Sequence, residues 1–301
     1  MHIAAQKPVR RAYRSCGNDG GAASDERPAI TRAERTALDR IIALAYQRSR
    51  IRLDHGKEPL IRARLGKRMR ALGYTSLVDY TEFLCSAEGV EEVGHAMDAL
   101  TTNFTQFLRE RDHFDFLVDE ALPRLLDERQ KRFQIWSAAC ATGEEPYTIA
   151  IYLEERYPLA EGWEWWIRAT DISSRALDKA VRGIYAGERL GGLPAVWLHR
   201  HFQRGFGSCA GLYRVKRHLQ ERIAFEQVNL LNDRGYNRSF EIIFCRNVMI
   251  YFDRSTQEEL VRHLTERLVP GGYLLTGRAE SLGWVAGSLR CVRPSIYQKT
   301  N

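Results

Sequence analysis

The residues of this chain that could do chemistry stand at the ends of short apolar runs. Phe240-Glu-Ile-Ile-Phe-Cys245 is rich in β-branched and aromatic side chains and stops abruptly at Arg246-Asn247. That pattern predicts a buried strand whose carboxyl end opens onto a site. Ligands of open α/β sheets sit beyond the carboxyl ends of strands, which makes Asn247, Tyr251 and Asp253 candidate contacts. A second run, Phe133-Gln-Ile-Trp-Ser-Ala-Ala-Cys-Ala-Thr-Gly-Glu-Glu-Pro-Tyr147, predicts a strand, a turn of small residues and a helix opening at Glu144. Small side chains let backbone approach a ligand closely, and a helix N-terminus offers free N–H groups. A nucleotide-bearing cofactor fits such a turn. The GxGxxG spacing is absent, and one glycine makes a poor pyrophosphate cradle. Glu144 and Glu145 would also repel phosphate, so the turn favours a cofactor that carries a cation. Thr142 and Glu145 have capping-box spacing, a purely structural role for the same glutamate.

Asp171 ends a third run, Trp165-Trp-Ile-Arg-Ala-Thr-Asp171. An acid at the end of the second strand of such a unit suits ribose hydroxyls, although Asp171 or Ser173 could equally cap a helix near 174. Asn229 follows a further strand-like run, 223–228, and would lie near the adenine edge in the same arrangement.

These segments need a scaffold, and the periodicities supply one. From 133 onward strands are expected at 133–138, 165–170, 223–228, 240–245, 272–276 and 289–298. They alternate with helices at 144–156, 174–182 and 255–268, the last opened by a capping box of Ser255 and Glu258. This is a doubly wound α/β sheet. Glycine-punctuated short segments over 187–222, including a hairpin-like Leu212-Tyr-Arg-Val-Lys-Arg217, predict an inserted small β-subdomain. Ahead of the sheet, Thr31 and Glu34 form a capping box before an apolar-periodic run to residue 47. Amphipathic helices at 58–72, 75–86 and 88–100 complete a small all-α domain over about 29–112. A connecting helix is expected within 113–132, and 1–28 as a disordered tail.

The chain has 301 residues, 28% charged and 44% hydrophobic, with a net charge of +7. Those values describe an ordinary globular protein with room for two domains. No apolar run has the length of a membrane span and no apolar leader is visible. The six cysteines are scattered without a CxxC pair, which points to reduced thiols in a cytoplasmic protein. The histidines show no metal-ligand spacing.

Taken as a set, the motifs carry a resemblance. Leu100-Thr-Thr-Asn-Phe-Thr-Gln-Phe-Leu-Arg-Glu110, Trp136-Ser-Ala-Ala-Cys-Ala-Thr-Gly-Glu-Glu-Pro-Tyr147, Ala169-Thr-Asp-Ile172, Val228-Asn-Leu-Leu231, Phe244-Cys-Arg-Asn-Val-Met-Ile-Tyr-Phe-Asp253 and Gly271-Gly-Tyr-Leu-Leu275 resemble, in order and spacing, the CheR-type chemotaxis receptor methyltransferases. The resemblance covers about 30–300. Phe104 and Leu108 depart slightly from the family pattern and stay apolar.

It implies a Rossmann-like class I methyltransferase domain that uses S-adenosylmethionine to methylate glutamate side chains, leaving S-adenosylhomocysteine. By motif, Asn103, Thr105 and Arg109 reach the cofactor from between the domains. Glu145 and Asp171 hold it from the sheet, and Asn229, Leu230, Arg246 and Asn247 complete its pocket. Arg109 and Tyr251 would stand beside the reacting methyl group as the catalytic pair. The substrate glutamate is already an anion at neutral pH, so no strong base is required. Alignment and desolvation would do the work, with Arg109 holding the carboxylate bidentately.

Between Arg48 and Arg70 nine Lys/Arg face only Asp54 and Glu58, and Arg64, Lys67 and Arg68 share a helical face. This segment could be a solvated surface. The resemblance makes it a docking face for the cytoplasmic helical region of methyl-accepting receptors, with a receptor tail peptide as a second contact at the β-subdomain. A monomer is expected. Basic residues without interleaved aromatics argue against nucleic acid as the partner. A nucleic-acid methyltransferase would want a base-stacking turn that 246–253 lacks. A non-catalytic binding module would not need both Arg109 and Tyr251.

Overall fold

The computed structural model describes residues 30–126, 131–233, 238–285 and 287–300. The expected tail at 1–28 lies outside them.

The N-terminal region is helical. α1 (Arg32–Ser49) opens on Thr31, whose side chain accepts from the Glu34 N–H while Glu34 returns the bond, as the capping-box spacing predicts. α2 (Glu58–Ala71), α3 (Leu77–Leu84) and α4 (Val90–Leu100) follow. Their apolar stripes enclose a separate core that includes Leu38, Ile41, Ile61, Leu65, Tyr80 and Ala96. A broken helix then leads to the second domain: α5 (Asp112–Phe116), a π-turn (Leu117–Ala121) and α6 (Leu122–Leu125).

The second domain alternates strand and helix: β1 (Arg132–Ala138), α7 (Glu144–Arg156), β2 (Glu164–Asp171) and α8 (Ser174–Arg182). A small unit intervenes, comprising β3 (Ile184–Ala186), α9 (Ala195–His201), β4 (Phe202–Arg204) and β5 (Leu212–Val215). α10 (Arg217–Gln220), β6 (Ile223–Gln227), β7 (Phe240–Cys245), α11 (Arg254–Glu266), β8 (Leu268–Thr276), β9 (Leu289–Arg293) and β10 (Ile296–Lys299) complete it. The main sheet runs β6-β2-β1-β7-β8-β10-β9, parallel from β6 to β8, with β10 and β9 antiparallel. The order reverses between β1 and β7, so the carboxyl ends of those strands frame a crevice. Two apolar layers flank the sheet. One packs α5, the π-turn and α7 on one face, and the other packs α11 on the opposite face.

Four local expectations change. The 289–298 strand is two strands, because Pro294 cannot donate to a ladder and Ser295 turns at φ +60° into a hairpin. α11 is capped by Asp253, which accepts from the Thr256 N–H at 2.9 Å, and not by Ser255. Thr142 and Glu145 form no capping box: Gly143 is the cap at φ +94°, and Glu145 turns inward. The inserted sheet, ordered β3-β5-β4, starts at Ile184, ahead of the expected 187.

Candidate functional site

A cleft of about 870 Å³, counting its open mouth, lies at the crevice where the strand order reverses. Asn103, Thr105, Arg109, Glu145, Asp171, Asn229, Leu230, Arg246, Asn247 and Tyr251 all line it. Every residue that the resemblance assigned to cofactor or chemistry therefore lines this one cavity; Asp253, a candidate contact by its place after the strand, does not, because it caps α11 and accepts from the Tyr46 hydroxyl. The N-terminal domain supplies a wall through Ser49 and Ile51, which carry no motif and escape sequence reading. Three bonds seat that wall. The Arg52 N–H donates to the Tyr251 carbonyl (2.8 Å), Asn229 Nδ2 to the Arg48 carbonyl (3.0 Å), and the Tyr46 hydroxyl to Asp253 (2.6 Å).

At the floor, Asp171 organises the turn after β1. Its Oδ2 accepts from the Ala141 N–H (2.8 Å) and its Oδ1 from the Ser173 N–H (2.9 Å). Burial pushes its carboxyl above the ordinary range, against the pull of those backbone donors. Each oxygen keeps a lone pair for a further donor. Ser173, not Asp171, caps α8, accepting from the Ala176 N–H (3.2 Å), and Asn103 Nδ2 donates to its hydroxyl (3.1 Å).

Beside it stands a buried charge knot. Arg246 extends from the end of β7, donates to Glu145 (3.0 Å) and Glu110 (3.0 Å), and lies 5.3 Å over the Phe114 ring. Glu145 also accepts from the Ser137 hydroxyl (2.7 Å). Burial raises the Glu145 carboxyl despite Arg246. Burial raises Glu110 too, but the Arg246 charge outweighs it and leaves that carboxyl below its usual range. Two acids around one buried cation leave the knot with net negative character.

The walls are strained. Of the non-glycine residues with positive φ, Ala139, Ala141 and Asn247 line the cleft, and Leu108 and Glu110 flank Arg109. Each costs of order 1–3 kcal/mol, a strain that gathers at functional sites. No sequence signal marks it, because the residues are not glycine. Arg109 Nη1 donates to the Phe104 carbonyl (3.0 Å), curling segment 104–109 over the cleft.

The basic helix differs from expectation. Arg68 donates bidentately to Glu92, through Nε (2.9 Å) and Nη2, and Glu92 also accepts from the buried Tyr80 hydroxyl (2.7 Å). Arg64 Nη2 donates to the Thr102 hydroxyl (2.8 Å), and its Nη1 binds the Leu100 carbonyl. The face they share packs against α4, so two of the three docking candidates hold internal partners. Lys67 is exposed.

The cleft fits a cationic cofactor with an apolar part. Its charged lining is Arg109 and Arg246 against Glu145 and Asp171, and Arg246 is already held by two acids. Ile51, Val228, Leu230 and Phe252 offer apolar surface for a base.

Comparison with known proteins agrees. Residues 103–297 match the family described as CheR methyltransferase, SAM binding domain, and residues 36–101 match CheR methyltransferase, all-alpha domain. The chain is 41% identical to the chemotaxis protein methyltransferase of Salmonella typhimurium over 80% of this chain and 82% of that protein. It is 41% identical to that of Escherichia coli, over 82% and 87%. Chemotaxis protein methyltransferase 2 of Pseudomonas aeruginosa is 39% identical, over 84% and 89%. The chain belongs to the CheR methyltransferase family and is an S-adenosylmethionine-dependent methyltransferase.

Proposed function

We propose that this enzyme methylates glutamate side chains of chemotaxis receptors, giving methyl esters in adaptation. The observation that carries this reading is the convergence of Arg109 and Tyr251 on a cofactor cleft that already holds Asp171, Glu145 and Asn247. S-adenosylmethionine, when bound, would supply a sulfonium methyl to a substrate carboxylate oxygen, with the electron pair of the broken C–S bond left on sulfur and no proton transferred.

The protein's part is placement. Asp171 would accept from the ribose hydroxyls through the lone pairs that Ala141 and Ser173 leave open. The turn at Ala139–Ala141 and the Asn103 amide would bracket the amino-acid portion. Glu145, Glu110 and Arg246 would set a net negative field beside the cation. Arg109 would orient the incoming carboxylate, and Tyr251 would steady its second oxygen. The 104–109 segment and the Ser49–Ile51 wall would exclude water.

Lys67 is the exposed cation of the proposed docking face, with Arg64 and Arg68 shaping the helix behind it. A receptor tail peptide would have a strand edge to pair with, since β3 and β4 are the outer strands of the small sheet. The enzyme would act as a cytoplasmic monomer. Among the described residues no helix is long and apolar enough to cross a membrane.

The test is incubation with tritiated S-adenosylmethionine and receptor-bearing membranes. Base-labile label should appear on a receptor-sized band. Label confined to nucleic acid, or none at all, would reject the proposal.

A further inference from the structure

We propose that Glu280 is a positioning residue for methyl transfer, clamping the Asn247–Tyr251 segment so that both side chains face the cleft. Glu280 follows β8 and is 6% exposed. Its Oε2 accepts from the Asn247 N–H (2.6 Å) and the Gly277 N–H (2.7 Å), and its Oε1 from the Ile250 N–H (3.2 Å). A buried carboxylate without donors would be costly, and three backbone N–H groups meet this one.

The segment it holds does not secure itself. Asn247 sits at φ +60°, in the left-handed region, where Asn is tolerated better than other non-glycine residues but still less well than glycine. The short 3₁₀ turn Met249–Tyr251 has no side-chain cap of its own, and its first N–H groups have no helical partner. Glu280 takes up Ile250 N–H from that turn and so fixes the base of Tyr251. Gly277 shows how close the fit is. A Cβ there would lie 2.5 Å from Asn247 Nδ2 and 2.7 Å from Glu280 Oε2. Glu280 does not line the cleft. It acts through Asn247 and Tyr251, on opposite ends of one turn.

The inference rests on reading the cleft as the methyl-transfer site, and its test separates the two. Glu280→Ala and Glu280→Gln are compared with Leu264→Ala, a cavity in the α11 core at a residue that does not line the cleft. Melting temperature, S-adenosylhomocysteine affinity by calorimetry, and kcat and KM on receptor membranes are measured for each. Displacing a catalytic turn by about 1 Å costs about 10²-fold in rate, so Glu280→Ala should lose about that in kcat with little change in acceptor KM. Its product affinity should weaken roughly tenfold, the loss of about one charged hydrogen bond's worth of alignment. Glu280→Gln keeps one acceptor oxygen and should fall between Glu280→Ala and the parent in both readouts. Leu264→Ala should lower the melting temperature as much while keeping kcat near the parent value. If Glu280→Ala and Glu280→Gln match Leu264→Ala in kcat and product affinity, Glu280 is structural only and the proposal fails. If the parent transfers no methyl to receptors, the functional reading fails instead. Calorimetry still decides the clamp in that case, since parent-like product affinity in both Glu280 variants would refute it.

Discussion

Arg246, at the end of β7, and Glu145, in the first turn of α7, meet at 3.0 Å across the reversal point of the sheet. Their side chains are 2% and 11% exposed, so the pair is effectively inside the protein. Such a pair adds little to stability over apolar packing, but removing one partner leaves a bare buried charge. Arg246→Ala abandons both Glu145 and Glu110. It should therefore lose about 3–5 kcal/mol of unfolding free energy. Urea denaturation with an unchanged midpoint would show that water already reaches the knot.

Asp171→Ala should weaken S-adenosylmethionine and S-adenosylhomocysteine alike, because both carry the ribose. A loss of about 1.5–3 kcal/mol is the scale for hydrogen bonds to a charged group. The side chain also holds Ala141 and Ser173, so the melting temperature should fall as well. Calorimetry on folded Asp171→Ala that gives parent affinity would remove this residue from the cofactor.

Arg109→Ala separates alignment from binding. It should reduce kcat far more than cofactor affinity, by roughly 10²-fold if it orients the acceptor. Near-normal methylation by this variant would end the alignment role.

Much of this site was legible because its residues end strands, and strand ends are visible as a break from β-branched runs to polar residues. Arg246-Asn247 and Asp171 were found that way. Ser49 and Ile51 were not, since they reach the cleft by docking of a separate domain, and no local pattern encodes that. Glu280 was missed because its partners are backbone N–H groups, which have no sequence signature. The capping boxes divide for a related reason. Thr31–Glu34 is exposed and local, so its spacing sufficed, whereas Glu145 was drawn off to Arg246, 101 residues away. The spacing put Arg64, Lys67 and Arg68 together, but Arg64 and Arg68 turn to α4 and Thr102 while Lys67 is exposed, and spacing alone cannot tell a solvent-facing cation from one bound internally.

The buried His113 gives a pH signature. Burial first, then the Arg246 charge, lower its pKa to about 4, with Glu110 and Asp112 opposing and Arg278 adding to the effect. The unfolded chain binds this proton near 6.5 while the folded chain refuses it, so stability falls as pH drops from about 6.5 to about 4 and the effect then levels off. That interval corresponds to about 3 kcal/mol. His113→Gln cannot titrate, and its unfolding free energy should decline less steeply over the same window. Parallel slopes for parent and variant would mean that His113 is protonated in the fold.

The basic helix yields a prediction in which neighbours behave oppositely. Lys67 is exposed, and no internal bond should be lost with its charge. Lys67→Glu should leave stability within about 0.5 kcal/mol of the parent. It should raise the apparent KM for receptor, most at low salt, because exposed charges are screened beyond about 8 Å at physiological ionic strength. Arg68→Glu should do something else. It places an acid against Glu92, whose side chain is 6% exposed, and leaves the Tyr80 hydroxyl on a repelled carboxylate. Its principal effect should be a lower melting temperature, with salt dependence of methylation close to the parent's. Arg64→Glu should resemble Arg68→Glu in stability and also weaken the cofactor, since Arg64 fixes Thr102 at the edge of the cleft. Salt titrations and melts of the three variants check this together. If Lys67→Glu methylates receptor with parent KM at low salt, the docking face lies elsewhere. If Arg68→Glu keeps its stability but loses salt sensitivity, the ion pair with Glu92 opens in solution and that charge serves the partner after all.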